Sequence, residues 1–248
     1  MGNVTLKDRL AARERPSEMP LMHQDWKNLL FMHWEYDPEK LQATLPPGLF
    51  VDTFRGKGFI TMNPFLMENV SIVNMPALPG FSSFIEVNVR TYVYDKNGVP
   101  GVWFYSLDLN SLIAANMARE VFSLPYFVAE LQASQKRKAI TVEGKREGEP
   151  HAKMKFTYEP ISEIWHEAQT STLDFFLLER YALFSFAANQ LNIGRVHHSP
   201  YPIGDVHVGE IQTNLLELHS FELSHMKPDH THYSPKVSVD IFPLSKVR

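Results

Sequence analysis

The stretch Phe84–Tyr94, F-I-E-V-N-V-R-T-Y-V-Y, and the Asp95-Lys96-Asn97-Gly98 that follows it constrain the fold more than any other part of the chain. Side chains alternate strictly. Ile85, Val87 and Val89 share one parity, and Glu86, Asn88 and Arg90 the other, which is the period of a β-strand. Asn97-Gly98 supplies residues that tolerate positive φ, so a hairpin turn is expected there, with Val102–Leu107 as the returning strand. An antiparallel sheet therefore lies at the centre of the fold. Its polar row places a carboxylate, an amide and a guanidinium on one face, roughly 6.5–7 Å apart at each step. Two readings are open at this point. The row is either a solvated outer face with a surface ion pair, or a polar wall whose groups point into an enclosed space.

Other segments extend the same picture. Phe59–Met67 and the latter half of Leu21–Trp34 read as strands, and Lys136–Val142 with Lys153–Tyr158 as a hairpin around Glu143–Glu149. Asp37-Pro38-Glu39 opens a short helix stopped by Pro46-Pro47-Gly48. Asp108, Asn110 or Ser111 caps a helix running to about Phe122. The longest helix is expected over Leu173–Leu191, with Ser171 and Asp174 at capping-box spacing and Gly194 as its stop. Seventeen prolines against twelve glycines suggest short segments joined by rigid turns. Several strands and a few helices without a regular βαβ period argue for an α+β, mainly antiparallel fold. Residues 1–20 read as a short helix or tail ending at Pro16 and Pro20, and 21–248 as one domain, near the upper size for a single core.

The net charge of −4 provides no positive field for nucleic acid, and the short Lys136-Arg137-Lys138 run reads as a solvated strand end. No stretch approaches the roughly 18–20 apolar residues that span a bilayer, and the charged first twenty residues contain no apolar signal core. A cytoplasmic location without membrane or nucleic-acid partners is expected. Without cysteine there is no thiolate ligand or cysteine nucleophile. The eleven histidines, His230-x-His232 among them, match no recognised ligand spacing, so neither metal nor cofactor is expected. His33, in the first core strand, is either a pocket acid–base group or a hydrogen-bonded core histidine.

Three motifs occur in order: F-x-E-x-N-x-R-T-Y-V at Phe84–Val93, S-L-D-x-N-S at Ser106–Ser111, and A-R-E-x-x-x-L-P-Y-F at Ala118–Phe127. Together with Leu45-Pro46-Pro47-Gly48-Leu49 and the C-terminal His232-Tyr233-Ser234, they resemble the bacterial YqjF-like family of the acetoacetate decarboxylase-like superfamily, over nearly the whole chain. The resemblance implies a cone-shaped antiparallel β-barrel or sandwich around a closed pocket. In the decarboxylase a lysine follows the proline of the third motif and forms a Schiff base, with a second lysine beside it. Those places carry Tyr126 and Phe127 here, so no imine is expected from them. The decarboxylase's pocket glutamate falls at Glu86 and its substrate-facing arginine near Lys27, while Arg119 is expected to buttress the fold by pairing with Asp108 or Glu120. Tyr126 is either a core aromatic with a satisfied hydroxyl or a pocket phenol.

The resulting expectation is a small-molecule binding protein, with the choice between monomer and homo-oligomer left open, that takes a compact carbonyl- or carboxylate-bearing metabolite. Glu86 and Tyr126 are its candidate catalytic groups, and Arg90, Asn88, Lys27, His33 and Arg119 its candidate ligand contacts. The rival is a lyase, hydratase or isomerase working without an imine, with Glu86 as base and Tyr126 as acid. A purely structural interaction module would instead show a large exposed apolar patch and no cavity.

Overall fold

The computed structural model describes residues 4–75, 82–149 and 151–248. In chain order the elements are α1 (Leu6–Arg13), β1 (Met22–Tyr36), α2 (Pro38–Gln42), β2 (Leu49–Val51), β3 (Gly58–Ile72), β4 (Phe84–Asp95), β5 (Pro100–Leu109), α3 (Leu112–Phe122), β6 (Tyr126–Lys136), β7 (Ala139–Arg146), β8 (Lys153–Pro160), α4 (Leu173–Leu178), β9 (Ala182–Ala187), β10 (Gln190–His198), β11 (Val206–Thr213), α5 (Leu215–Leu218), β12 (His230–Ile241) and β13 (Ser245–Lys246). The strands run in the order β11-β8-β7-β6-β5-β9-β10-β12-β1-β3-β4-β2, and β4 also pairs with β5. Pairing is antiparallel except for β5 with β6 and with β9, which are parallel.

Strand β4 is buried on both faces, which settles what its alternation means. Ile85, Val87 and Val89 pack in one apolar cluster with Met32, Val142 and Phe156, so β7 and β8 cover the outer face. The opposite face looks toward a second cluster containing Phe31, Leu107, Phe176 and Tyr201. Glu86, Asn88 and Arg90 are therefore interior groups, at 2 %, 3 % and 7 % exposure. The solvated-face reading is excluded.

A bulge in β1 sets which side chains face inward. Asn28 has φ 53°, a left-handed conformation that asparagine tolerates better than most residues, and pairing with β3 breaks between Lys27 and Met32. An extra residue in one strand reverses side-chain parity. Trp26 before the bulge and Leu29 and Phe31 after it consequently join the same cluster. The bulge is clasped from outside, since Tyr158 Oη donates to Asn28 O and Tyr233 Oη to Asn28 Oδ1, both at 2.7 Å.

The β5–α3–β6 unit is a parallel crossover. Ser111 caps α3 by accepting from Ala114 N, and Ser123 at φ 50° ends the helix. Register pairs Leu107 with Tyr126 and Asp108 with Phe127. Tyr126 thus shares the inner face with Leu107, and Phe127 the outer face with Asp108.

Several boundaries differ from the sequence reading. The first core strand spans all of Met22–Tyr36, and Tyr126–Lys136 is a strand the sequence reading lacked. The Asp95–Gly98 turn has only Gly98 at positive φ, 79°; Asp95 Oδ1 accepts from Asn97 N and Val99 N, which holds the turn without a left-handed Asn97. The largest correction concerns the expected helix Leu173–Leu191. The helix is capped by Thr172, not Ser171, ends at Leu178, and gives way to the hairpin β9–β10 through Ala188 and Asn189 at φ 50° and 58°. An uninterrupted apolar run fits helix and buried strand equally well. Gly194 sits within β10, where a Cβ would lie 3.0 Å from Leu183 and from Leu244. Its small size serves close packing of the sheet, not a helix stop.

Candidate active site

A cavity of about 80 Å³ lies between the inner faces of β1, β3, β4 and β5, closed at one side by Tyr126 and at another by Arg180 and Tyr201. Five of the residues around it have a polar atom that is buried and without a hydrogen-bond partner among the described residues: Asn63 Oδ1, Glu86 Oε2, Asn88 Oδ1, Arg90 Nε and Arg180 Nη2. Leaving a buried polar atom unpaired costs about 1–3 kcal/mol, so a cluster of them at one hollow marks a place built for a polar occupant, water included.

Glu86 is the group most changed by this environment. Burial pushes its carboxyl up to about 7, the nearby Asp108 adding to the rise. Asn88 Nδ2 donates to Glu86 Oε1 at 3.1 Å and Arg90 adds a favourable field, but both weigh less than burial. A carboxyl held near neutrality exchanges protons readily at physiological pH. Tyr126 keeps some exposure as a residue, yet its phenol lies in the interior. Burial, and then the charge of Glu86, hold that phenol well above its ordinary value. It is a hydrogen-bond donor, not a base.

The three interior arginines differ in their partners. Arg146 makes a bidentate pair with Asp108 at 2.6 and 2.8 Å and stacks over Phe127 at 3.8 Å. Arg180 donates to Asp52 at 2.6 Å, and Asp52 also receives both arms of Arg9 at 2.7 and 2.8 Å, which ties α1 to the cavity wall. Arg90 has no ion pair among the described residues; its guanidinium lies over the Phe31 ring at 5.6 Å. A buried cation without a counter-ion is costly unless an anion comes to it.

Of the seven sequence-derived candidates, Glu86, Asn88, Arg90 and Tyr126 surround this one cavity. The other three do not line it. Lys27 lies on the far side of β1 from Trp26, where its ammonium pairs with Glu68. His33 is fully buried, with Nδ1 at 2.8 Å from Thr61 Oγ1 and Nε2 at 3.2 Å from His232 Nδ1; His232 Nε2 is in turn 3.0 Å from Asp174 Oδ1. Burial, and then His232, hold His33 well below its usual value, which makes it a neutral core histidine. Arg119 pairs with neither Asp108 nor Glu120. It donates from Nε to Tyr126 O at 2.8 Å and from Nη1 to Asn116 Oδ1 at 3.0 Å, so it fixes the backbone of Tyr126.

Sequence reasoning missed Asn63 and Arg180. The signal for Asn63 was the alternation Asn63, Phe65, Met67 opposite β4, where Asn63 faces Asn88 in register. Arg180 was hidden inside the misread helix. Among the described residues, no cluster of three or more His, Asp or Glu side chains is arranged to hold a metal ion. No lysine lines the cavity among those residues.

The fold is that of the acetoacetate decarboxylase-like proteins. Acetoacetate decarboxylase from Legionella pneumophila superposes with a TM-score of 0.62 at 14% identity, covering 100% of this chain and 96% of that one. The enduracididine biosynthesis enzyme MppR, in complex with the condensation product of pyruvate and imidazole 4-carboxaldehyde, gives 0.64 at 11% identity, covering 94% and 92%. Within that class the chain belongs to the DUF2071 family, described as "Uncharacterized conserved protein (COG2071)", whose family model matches residues 23–238. It is 36% identical over 232 residues to the uncharacterized protein YqjF of Bacillus subtilis strain 168, covering 93% of this chain and 94% of the relative.

Proposed function

We propose that the chain binds a compact, carboxylate-bearing carbonyl metabolite in this cavity, in the cytoplasm, without forming an imine. The observation that carries the reading is Arg90, a buried guanidinium without a counter-ion among the described residues, on the same strand face as a carboxyl held near neutrality. The ligand carboxylate settles on Arg90, and its carbonyl is oriented by Asn88, Glu86 and the Tyr126 phenol. A pyruvate complex of MppR, a protein of the same fold, supports pyruvate as a first probe. No helix among the described residues is long and apolar enough to cross a membrane.

The test is calorimetric titration with pyruvate and other 2-oxo acids, in parallel with borohydride trapping. Binding that disappears in Arg90→Met, with no lysine labelled in wild type, is the expected result. A labelled lysine overturns the non-imine part, and equal affinity in Arg90→Met overturns the carboxylate site.

One observation favours a second reading, acid–base catalysis in the same cavity. A carboxyl at about 7 beside an un-ionised phenol has the form of a base paired with a hydrogen-bond donor for a developing oxyanion. A lyase, hydratase or isomerase step on a carbonyl compound fits that pair. Turnover of an oxo-acid panel by wild type and Glu86→Gln distinguishes the readings: loss of turnover with the ligand still bound supports catalysis.

A further inference from the structure

Arg180 enters the cavity wall from the turn after α4, and most of its guanidinium is already engaged. Nε donates to Phe176 O at 2.7 Å and Nη1 to Asp52 Oδ2 at 2.6 Å. The Tyr92 and Phe176 rings lie 4.9 and 4.3 Å from it. Nη2 has no partner among the described residues. Tyr92 is the next inward residue after Arg90 on β4, so Arg90 and Arg180 stand at the same end of the cavity that both line.

The charges at that end do not balance. Asp52 is already held by both arms of Arg9, Nη1 to Oδ2 at 2.7 Å and Nη2 to Oδ1 at 2.8 Å. A carboxylate so paired does not need a second buried cation, yet Arg180 is only 5 % exposed. Burial lowers Arg180 to about 10, which leaves it charged at neutral pH. The guanidiniums of Arg9, Arg90 and Arg180 exceed the charge of Asp52 even when a fully ionised Glu86 is added to it. Buried cations in excess call for an anion.

Arg9 also decides where Arg180 Nη2 is directed. Because Arg9 takes Asp52 Oδ1, Arg180 reaches Asp52 with Nη1 alone. A free Oδ1 would draw Arg180 into a two-bond pair with Asp52, the geometry a guanidinium fork favours. Nη2 would then be lost to the cavity.

We propose that Arg180 is the second anion contact of the cavity, its Nη2 binding one carboxylate oxygen while Arg90 Nε binds the other, and that Arg9 is the positioning residue that keeps Nη2 free. The second contact rests on the carboxylate reading above and adds to it a link between the cavity and α1. Anion binding and α1 docking must then favour each other, because linkage is reciprocal.

The probe is formate, small enough for a cavity of about 80 Å³ when about 150 Å³ takes up benzene. Its affinity is read from the rise of the urea midpoint with formate concentration, against sodium chloride at equal ionic strength. The proteins are wild type, Arg90→Met, Arg180→Lys and Arg9→Lys. Lysine keeps the charge at either position but has a single nitrogen. Arg180→Lys is expected to weaken formate about tenfold. Arg9→Lys is expected to weaken it about fivefold, since one ammonium leaves an Asp52 oxygen open to Arg180. Formate should slow trypsin cleavage within residues 4–20 in wild type and not in Arg180→Lys.

Wild-type affinity in Arg180→Lys, with binding lost in Arg90→Met, overturns the second contact and leaves the carboxylate site standing. Wild-type affinity in Arg9→Lys overturns the positioning role, as does wild-type cleavage indifferent to formate. Should Arg180→Lys fail to fold, Arg9→Lys and the wild-type cleavage rates decide. A formate effect in wild type no larger than that of chloride, or undiminished in Arg90→Met, overturns the carboxylate reading and the second contact with it.

Discussion

Glu86→Gln is expected to stabilise the protein at alkaline pH while abolishing proton exchange in the cavity. Burial moves the Glu86 carboxyl from 4.5 to about 7 in the folded state, and each pH unit of such a difference is worth about 1.4 kcal/mol. The folded pKa lies above the unfolded one, so the stabilising neutral form is fully present below pH 4.5. It is lost as pH rises to about 7, at a total cost of about 3 kcal/mol. Roughly 2 kcal/mol of that falls between pH 5.5 and pH 8. Glutamine keeps the Oε1 that accepts from Asn88 and has no proton to lose. Urea unfolding of both proteins, without ligand, at pH 5.5 and pH 8 isolates the effect, because every other titrating group cancels in the difference of differences. Glu86→Gln should gain about 2 kcal/mol relative to wild type between the two pH values. A difference that does not change with pH refutes the reasoning, since it would mean that Glu86 titrates alike in the folded and unfolded chains.

The buried histidines give the opposite slope. His33 is held well below its usual value and His198 at about 4, both by burial. The folded state refuses a proton that the unfolded chain accepts below about 6.5, so their contribution is full above that pH and is lost as pH falls. His33→Gln should flatten the acid limb of a urea-stability profile by about 1.4 kcal/mol per pH unit below 6.5; an unchanged limb counts against a neutral His33. Arg9→Met leaves Asp52 bonded to Arg180 but removes two charge-assisted bonds, with an expected loss of about 2 kcal/mol and faster proteolysis within residues 4–20. Equal cleavage rates would mean that α1 is held by other contacts, such as Arg195 to Ala12 O.

The parts of the fold legible in the sequence were those whose signal is local. The strict alternation of β4, the Asp37-Pro38 cap of α2 and the Ser111 cap of α3 are each written within a few residues, and each stands where expected. What failed was non-local. The run from Leu173 to Leu191 carries the same apolar density for a helix as for β9, and only pairing with β10 and β5 decides for strand. The family motifs aligned Tyr126 with the inner face of β5, but the sequence could not show that Asp108, one parity away, was already paired with Arg146 from β7, thirty-eight positions along. Arg119 was accordingly assigned a carboxylate it does not reach. Lys27 was carried over from the resemblance, as the position near which the decarboxylase's arginine falls; the structure puts it on the far side of β1 from Trp26, where it pairs with Glu68 instead of facing the cavity.

The charge balance of the cavity leads to a final prediction about ligand binding. At pH 7 Arg90 carries a positive charge and Glu86 is about half ionised, given its value of about 7. An incoming carboxylate seated at Arg90 acts on Glu86 in two ways of the same sign. It offsets the Arg90 field that favours ionisation, and it brings a like charge that opposes it. Glu86 must then take up a proton as the anion binds. Near pH 7 the uptake is at most about half a proton per site, and at pH 8, where the free carboxyl is mostly ionised, it approaches a full proton if binding raises Glu86 far enough. Pyruvate titrations in buffers of different ionisation enthalpy measure this directly, because the observed heat varies linearly with buffer enthalpy and the slope is the number of protons exchanged. The slope should report uptake in wild type, increase from pH 7 to pH 8, and vanish in Glu86→Gln. Proton release, or a slope that survives in Glu86→Gln, would show that the anion sits elsewhere and that Glu86 is not the group it meets.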